Sequence, residues 1–290
     1  MVKMKLGLMY IRTPAEDRGV KAAPNGVAYL ASYLEKYHGI EDIYIEEAFD
    51  KLMERKPDAV GISSVSEMYP KAREIARKVK EWNPKIKIVI GGPHITSMPQ
   101  TLDKNMDVGV ISEGEEQFGE VMDLIKNNDL DPKKLKNITG IVFRDEDNQI
   151  FETGKRAWIQ NIDLIPPPNR RLITEISVSH RDAPYQQSLL TERGCPFKCE
   201  YCSATAFWDK MRTHSLERVM SEIEYIIKHY PEQKSISISD DLFGLNRKRL
   251  RQMVDMIKFE GYHKKVFFVC QTRASCFHEE TAAMFAEMNM

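Results

Sequence analysis

Cysteine is scarce in this chain: five in 290 residues, none before Cys195. An odd number, with three of the five inside eight positions, excludes the disulfide framework of a small secreted domain and points to a reducing cytoplasm. Long apolar runs are missing too. Nothing approaches the roughly 18 consecutive apolar residues of a membrane span. The N-terminal "MVKMKLGLMYI" is too short, and lacks the small-residue cleavage site, to be a signal peptide; it reads as a first strand. Charge of one sign is also missing. A formal net charge of −1 argues against a general binder of nucleic acid or membrane surfaces. Neither low-complexity tracts nor a repeat of 20–50 residues with a common side-chain pattern is visible, which sets solenoids and propellers aside.

What is present is enough apolar material for true cores: 42% hydrophobic residues beside 29% charged ones. Residues 1–135 alternate strand-like and helical patterns. "KLGLMYI", "DIYIEE", "DAVGISS", "IKIVIGG" and "DVGVIS" are strand-length runs. Between them lie helical stretches such as "NGVAYLASYLEKYHG", which ends on the stop signal Gly39, and the amphipathic "PKAREIARKVKEWN". Five strands interleaved with helices predict an α/β domain with a doubly wound, Rossmann-like parallel sheet. Residues 136–184 differ, with a β-hairpin expected in "ITGIVFRDEDNQIFETG" and a connector at "LIPPPNRR", whose three prolines continue neither a helix nor a central strand. From 185 to 290 the alternation resumes. "QSLLTERG", "SISISDD" and "KVFFVCQTRAS" read as strands, each followed by a helix, giving three βα units.

The three clustered cysteines stand as C-x₃-C-x₂-C in "GCPFKCEYCS", directly after a strand, where α/β folds place their chemistry. Thiolates are soft ligands suited to zinc or iron–sulfur clusters. Two readings follow from the residues. A structural zinc needs a fourth ligand, for which His214, Cys270 and Cys276 are candidates. A 4Fe–4S cluster held by Cys195, Cys199 and Cys202 leaves one iron open to a small molecule. Unligated core thiols are the plain alternative.

"RGCPFKCEYCSA" resembles the C-x₃-C-x-aromatic-C signature of the radical S-adenosylmethionine (SAM) superfamily. The resemblance implies a 4Fe–4S cluster on those three cysteines, SAM on the fourth iron, and Tyr201 near its adenine. "SISISDDLFGLN" is similar to the second barrel strand of that family, so Asp240 and Asp241 are implied SAM contacts; their ordinary alternative is a helix cap or loop pair. Arg273, near the end of the third strand, is a candidate partner for the SAM carboxylate, with Gln271 beside it and a surface ion pair as the ordinary alternative.

The first domain resembles the cobalamin-binding domain found in one branch of that superfamily, through "NGVAYLASYLEK", "AVGISS", "IVIGGPHIT" and "VISEGEE". Implied cobalamin contacts are Ser63, Ser64, Gly91, Gly92, Glu113, Gly114 and Glu115. The chain lacks D-x-H-x-x-G, so a histidine below cobalt is not expected, and His94 reads as a loop histidine. The resemblance implies methyl transfer to an unactivated carbon, through methylcobalamin and a 5′-deoxyadenosyl radical, with cyclase or rearrangement chemistry as the alternative on the same architecture. The second cluster that methylthiotransferases carry on N-terminal cysteines is not expected, since no cysteine precedes Cys195. Implied partners are a small-molecule or lipid substrate and an electron donor such as ferredoxin or flavodoxin. The family's barrel has six βα units against the three read here, so the expectation is an N-terminal portion of a longer enzyme, not active alone. A zinc-clipped, non-catalytic binding protein is the contrasting hypothesis.

Overall fold

The computed structural model describes residues 4–14, 22–180, 185–207 and 210–290. The chain divides into two compact units, one of Met1–Trp158 with Ile165–Pro184, the other of Ile159–Leu164 with Tyr185–Met290. The stretch 136–184, expected as hairpin and connector, therefore contributes to both.

In the first unit, β1 (Lys5–Tyr10), β2 (Asp42–Glu46), β3 (Ala59–Ser63), β4 (Lys87–Gly91) and β5 (Val108–Val110) form a parallel sheet in the order β2-β1-β3-β4-β5. The antiparallel hairpin of β6 (Ile141–Arg144) and β7 (Ile150–Glu152) extends it beyond β5. Helices cross over between the parallel strands: α1 (Asn25–His38), α2 (Phe49–Glu54), α3 (Tyr69–Trp82) and the short α4 (Pro93–Ser97). They are followed by α5 (Glu115–Lys126), α6 (Pro132–Leu135) and α7 (Arg170–His180). α1 stops at Gly39, whose N–H reaches the Leu34 carbonyl, where the sequence signals a stop.

The strands read as continuous apolar runs because both faces of the sheet are covered. On one face Met9, Val60, Ile62, Ile88 and Ile90 pack with Leu52 and Met53 of α2 and with Ala72, Ile75 and Val79 of α3. On the other, Leu8 and Gly61 meet Phe118 of α5: a Cβ built on Gly61 would lie 2.8 Å from Leu8 and 3.1 Å from Phe118.

The second unit contains a parallel sheet of β8 (Ser188–Leu189), β11 (Ser235–Ile238) and β12 (Phe267–Val269), in the order β12-β11-β8. An antiparallel ribbon pairs β9 (Glu192–Arg193) with β10 (Arg212–Thr213). The helices are α8 (Ala204–Phe207), α9 (Leu216–His229), α10 (Arg247–Phe259) and α11 (Glu279–Glu287). Ile223 and Ile226 of α9, Met253 and Ile257 of α10 and Met284 and Phe285 of α11 close on Ile236, Ile238 and Phe268.

The structure corrects one strand expectation. "QSLLTERG" is not one strand but two short ones that pair with different partners, β8 with β11 and β9 with β10. The cause is Asp240, whose carboxylate takes the Thr191 and Glu192 amides at 2.7 and 3.2 Å and pulls the chain out of line between them. The third run is likewise shortened, ending at Val269 before a 3₁₀ turn over Ala274–Cys276.

Candidate cofactor sites of the two units

In an open α/β sheet, ligands settle outside the carboxyl ends of the strands where the strand order reverses. Here the reversal falls between β1 and β3, and Tyr10 and Ser63 are register partners at that edge. The next strand ends lie beside it. Ser64 N–H donates to the Gly91 carbonyl at 3.1 Å, and His94 N–H donates to the Ser64 carbonyl at 3.2 Å. Thr96 Oγ1 donates to the Gly92 carbonyl at 2.9 Å and accepts from Ser112 N–H at 2.9 Å. The structure thus brings Ser63, Ser64, Gly91 and Gly92 together at one edge of the sheet, joined to the loop of Glu113 and Gly114 that leads into α5 at Glu115.

Gly92 is required there on two counts. Its φ of +95° lies in the left-handed region, and an added Cβ would stand 2.9 Å from the Ser64 oxygen and 3.1 Å from Ser63 Oγ. Sequence reasoning missed Ser112. It is a non-glycine residue at φ +77°, and its buried hydroxyl has no hydrogen-bond partner. Positive φ and an unsatisfied polar atom together make Ser112 a strained point beside the strand ends; only the folded backbone reveals it.

His94 is held by protein groups alone in this arrangement. It is buried, stacks on Tyr69 at 3.7 Å, and engages Ser66 and Thr101 through both ring nitrogens at 3.1 and 3.0 Å. Burial lowers its pKa, so the ring stays neutral as a latch between the β3 and β4 loops.

In the second unit the chain turns out of β9 at Gly194, whose φ is +95°, and enters the cysteine loop. Cys195, Cys199 and Cys202 are half-buried and in no disulfide. Cys202 N–H donates to the Cys199 carbonyl at 3.0 Å, closing the turn that carries the last two thiols. Tyr201 is 93% exposed. Arg273, beyond β12, donates from Nη1 to Cys199 Sγ at 3.3 Å and from Nε to Ser275 Oγ at 2.8 Å, while its guanidinium lies 4.3 Å from the centre of the Phe197 ring.

Among the described residues no three His, Cys, Asp or Glu side chains converge as they do on a single ion. Three soft thiols on one exposed loop still suit a cluster, which takes one thiolate per iron. Of the three candidate fourth ligands for zinc, Cys276 is half-buried in the turn after β12. His214 is fully buried with Nδ1 on Asp163 at 2.9 Å. Cys270 Sγ sits 3.1 Å from Met290 Sδ, and burial pushes its thiol up to about 11.

The two aspartates divide. Asp241 is exposed. Asp240 is buried, accepting from Thr191 Oγ1 at 2.5 Å as well as from the two amides, and burial raises its pKa to about 7. Beside it Glu192, also unanticipated, is buried with one carboxylate oxygen unpartnered; burial first, then the Asp240 charge, push it up to about 8. Arg249 ties this group to α10, donating to the His214 carbonyl at 2.7 Å.

By fold, the first unit is a doubly wound α/β domain, and the second presents soft metal ligands on the loop that leaves β9. Comparison with known proteins makes this specific. Residues 11–122 match the B12 binding domain family. An uncharacterized methyltransferase of Pyrococcus horikoshii is 31% identical over 93% of this chain and 59% of its own length. An anaerobic magnesium-protoporphyrin IX monomethyl ester cyclase of Rubrivivax gelatinosus is 31% identical over 71% of the chain and 39% of its own. The solved structure of the radical SAM methyltransferase TsrM from Kitasatospora setae, with cobalamin and a [4Fe-4S] cluster bound, superposes with a TM-score of 0.74. It covers 99% of this chain and 57% of that one at 17% identity.

The chain thus carries a B12 binding domain over residues 11–122 and is similar, over nearly its whole length, to cobalamin-binding radical SAM enzymes. It spans less than two thirds of the length of these relatives, 59% of one and 39% of the other.

Proposed function

We propose that this chain serves a cobalamin-dependent radical SAM methyltransferase acting on an unactivated carbon. The observation that carries the reading is the C-x₃-C-x₂-C loop at a strand end in a chain that also holds a B12 binding domain. Cys195, Cys199 and Cys202 hold the cluster. Tyr201 and Asp241 border SAM, and Asp240 fixes the strand end beneath it. Ser63, Ser64, Gly91, Gly92, Ser112, Glu113, Gly114 and Glu115 cradle cobalamin. When bound, the cluster with SAM supplies one-electron cleavage of a sulfonium bond, and cobalamin supplies a methyl carrier. The chain's own part is positional: a backbone edge open to a large ring at Gly92, and a loop that presents three thiols and keeps one iron position free.

The partners proposed are a small-molecule or lipid substrate and a one-electron donor of the ferredoxin or flavodoxin kind, in the cytoplasm. Among the described residues no helix is long and apolar enough to cross a membrane. The Rubrivivax relative, a cyclase, favours ring closure as the second reading.

Anaerobic reconstitution with iron and sulfide should give a brown protein, and desalting after incubation with hydroxocobalamin should leave one cobalt per chain. Iron retained by the C195A/C199A/C202A triple variant overturns the cluster assignment. Failure to retain cobalamin removes methyl transfer while leaving the radical SAM assignment standing.

A further inference from the structure

The resemblance makes Arg273 a SAM-carboxylate partner, yet its guanidinium lies against the cysteine loop. One edge of the fork meets Cys199 Sγ at 3.3 Å, and the flat face covers the Phe197 ring at 4.3 Å. Nε is fixed by Ser275 Oγ at 2.8 Å, and the Arg273 carbonyl accepts the Cys276 amide at 2.8 Å, so the residue is held at both its backbone and its guanidinium. Phe197 and Cys199 lie 76 and 74 positions before it in the sequence. The contact therefore ties the loop after β9, in the antiparallel ribbon, to the loop after β12, in the parallel sheet.

We propose that Arg273 is a positioning residue for the cysteine loop: it clamps Phe197 and Cys199 before metal arrives and remains on the Cys199 sulfur afterwards, raising the reduction potential of the cluster. This rests on the cluster reading above and extends it. The physical basis has two parts. A planar guanidinium stacks on an aromatic face and donates in the ring plane at the same time, which an ammonium cannot do. A cationic donor on a ligating sulfur stabilises the reduced, more negative cluster more than the oxidised one, and hydrogen bonds to sulfur are a recognised control of cluster potential.

The test uses this chain with Arg273→Gln, Arg273→Lys and Phe197→Leu. In the metal-free chain, mass spectrometry follows tryptic cleavage after Lys198, an exposed site between the first two cysteines. Cleavage there should be several-fold faster in Arg273→Gln and Phe197→Leu, because proteolysis reports how often the loop opens. After reconstitution, redox titration followed by electron paramagnetic resonance should place the Arg273→Gln cluster at a more negative potential. Arg273→Lys should recover more of the potential than of the protection. Equal cleavage and an equal potential in Arg273→Gln and the unaltered chain overturn the proposal while leaving the cluster intact. If the unaltered chain takes up no iron, the functional reading fails, and the cleavage rates still decide the clamp.

Discussion

At the scale of single residues, the two units hold buried titratable groups whose pH responses run in opposite directions. His94 has its folded pKa lowered from 6.5 by burial, so the unfolded chain binds the proton more tightly. Its contribution is full above about pH 6.5 and is lost as the pH falls through the window beneath. His94→Gln should therefore cost roughly 1–2 kcal/mol at pH 7, and its urea midpoint should change less than that of the unaltered chain between pH 7 and 5. Glu192 is the reverse case. Burial raises it from 4.5 to about 8, with Asp240 adding to the shift and Arg249 opposing it. Its favourable protonated state is fully present below pH 4.5 and is lost as the pH rises through about 8. Glu192→Gln should flatten that alkaline loss, seen as a rise in Tm at pH 8.5 relative to the unaltered chain and little change at pH 5. Neither Glu192 nor Ser112 was legible in the sequence. A glutamate in a short polar strand reads as solvent-facing, and a serine at positive φ looks like any other serine until the backbone is closed around it. The cysteines were legible because their spacing is itself the chemistry.

At the scale of elements, β1 to β5 were readable because each is an apolar run buried on both faces, bounded by turn residues. β8 and β9 were not separable, since the break between them is made by Asp240, some 50 positions away, and local pattern carries no record of it. The α1–α5 packing shows a similar dependence. His38 at the end of α1 pairs with Asp123 of α5 at 2.7 Å, and its ring lies over Gly119, where a Cβ would come within 2.1 Å of Nε2. Gly119→Ala should force the imidazole off Asp123 and destabilise the first unit by about 1–3 kcal/mol, the usual cost of overpacking. Combined with His38→Ala, the penalty should fall well below the sum of the two singles in a double-mutant cycle measured by urea unfolding.

At the scale of the whole molecule, the chain changes unit after Trp158, again after Leu164, and finally after Pro184. The brief visit by residues 159–164 is anchored at three points. Ile162 is fully buried, Ile159 accepts from Arg212 Nη1 at 2.8 Å, and Asp163 receives the Ser215 amide at 3.1 Å and His214 Nδ1 at 2.9 Å. Asp163 thus caps the start of α9 from outside that helix. Asp163→Ala should lower stability by about 1 kcal/mol, in line with loss of a cap, and calorimetry should show the loss in the transition of the second unit. The three prolines come after this segment, at 166–168, and mark its far side. The same weave bears on how relatives of this chain exchange parts. A crossover at the prolines, where the sequence most resembles a joint, would deliver a second unit from one parent and its α9 cap from the other. Because residues 165–184 belong to the first unit, viable chimeras should keep that stretch with the first unit and take 159–164 from the parent that supplies the second.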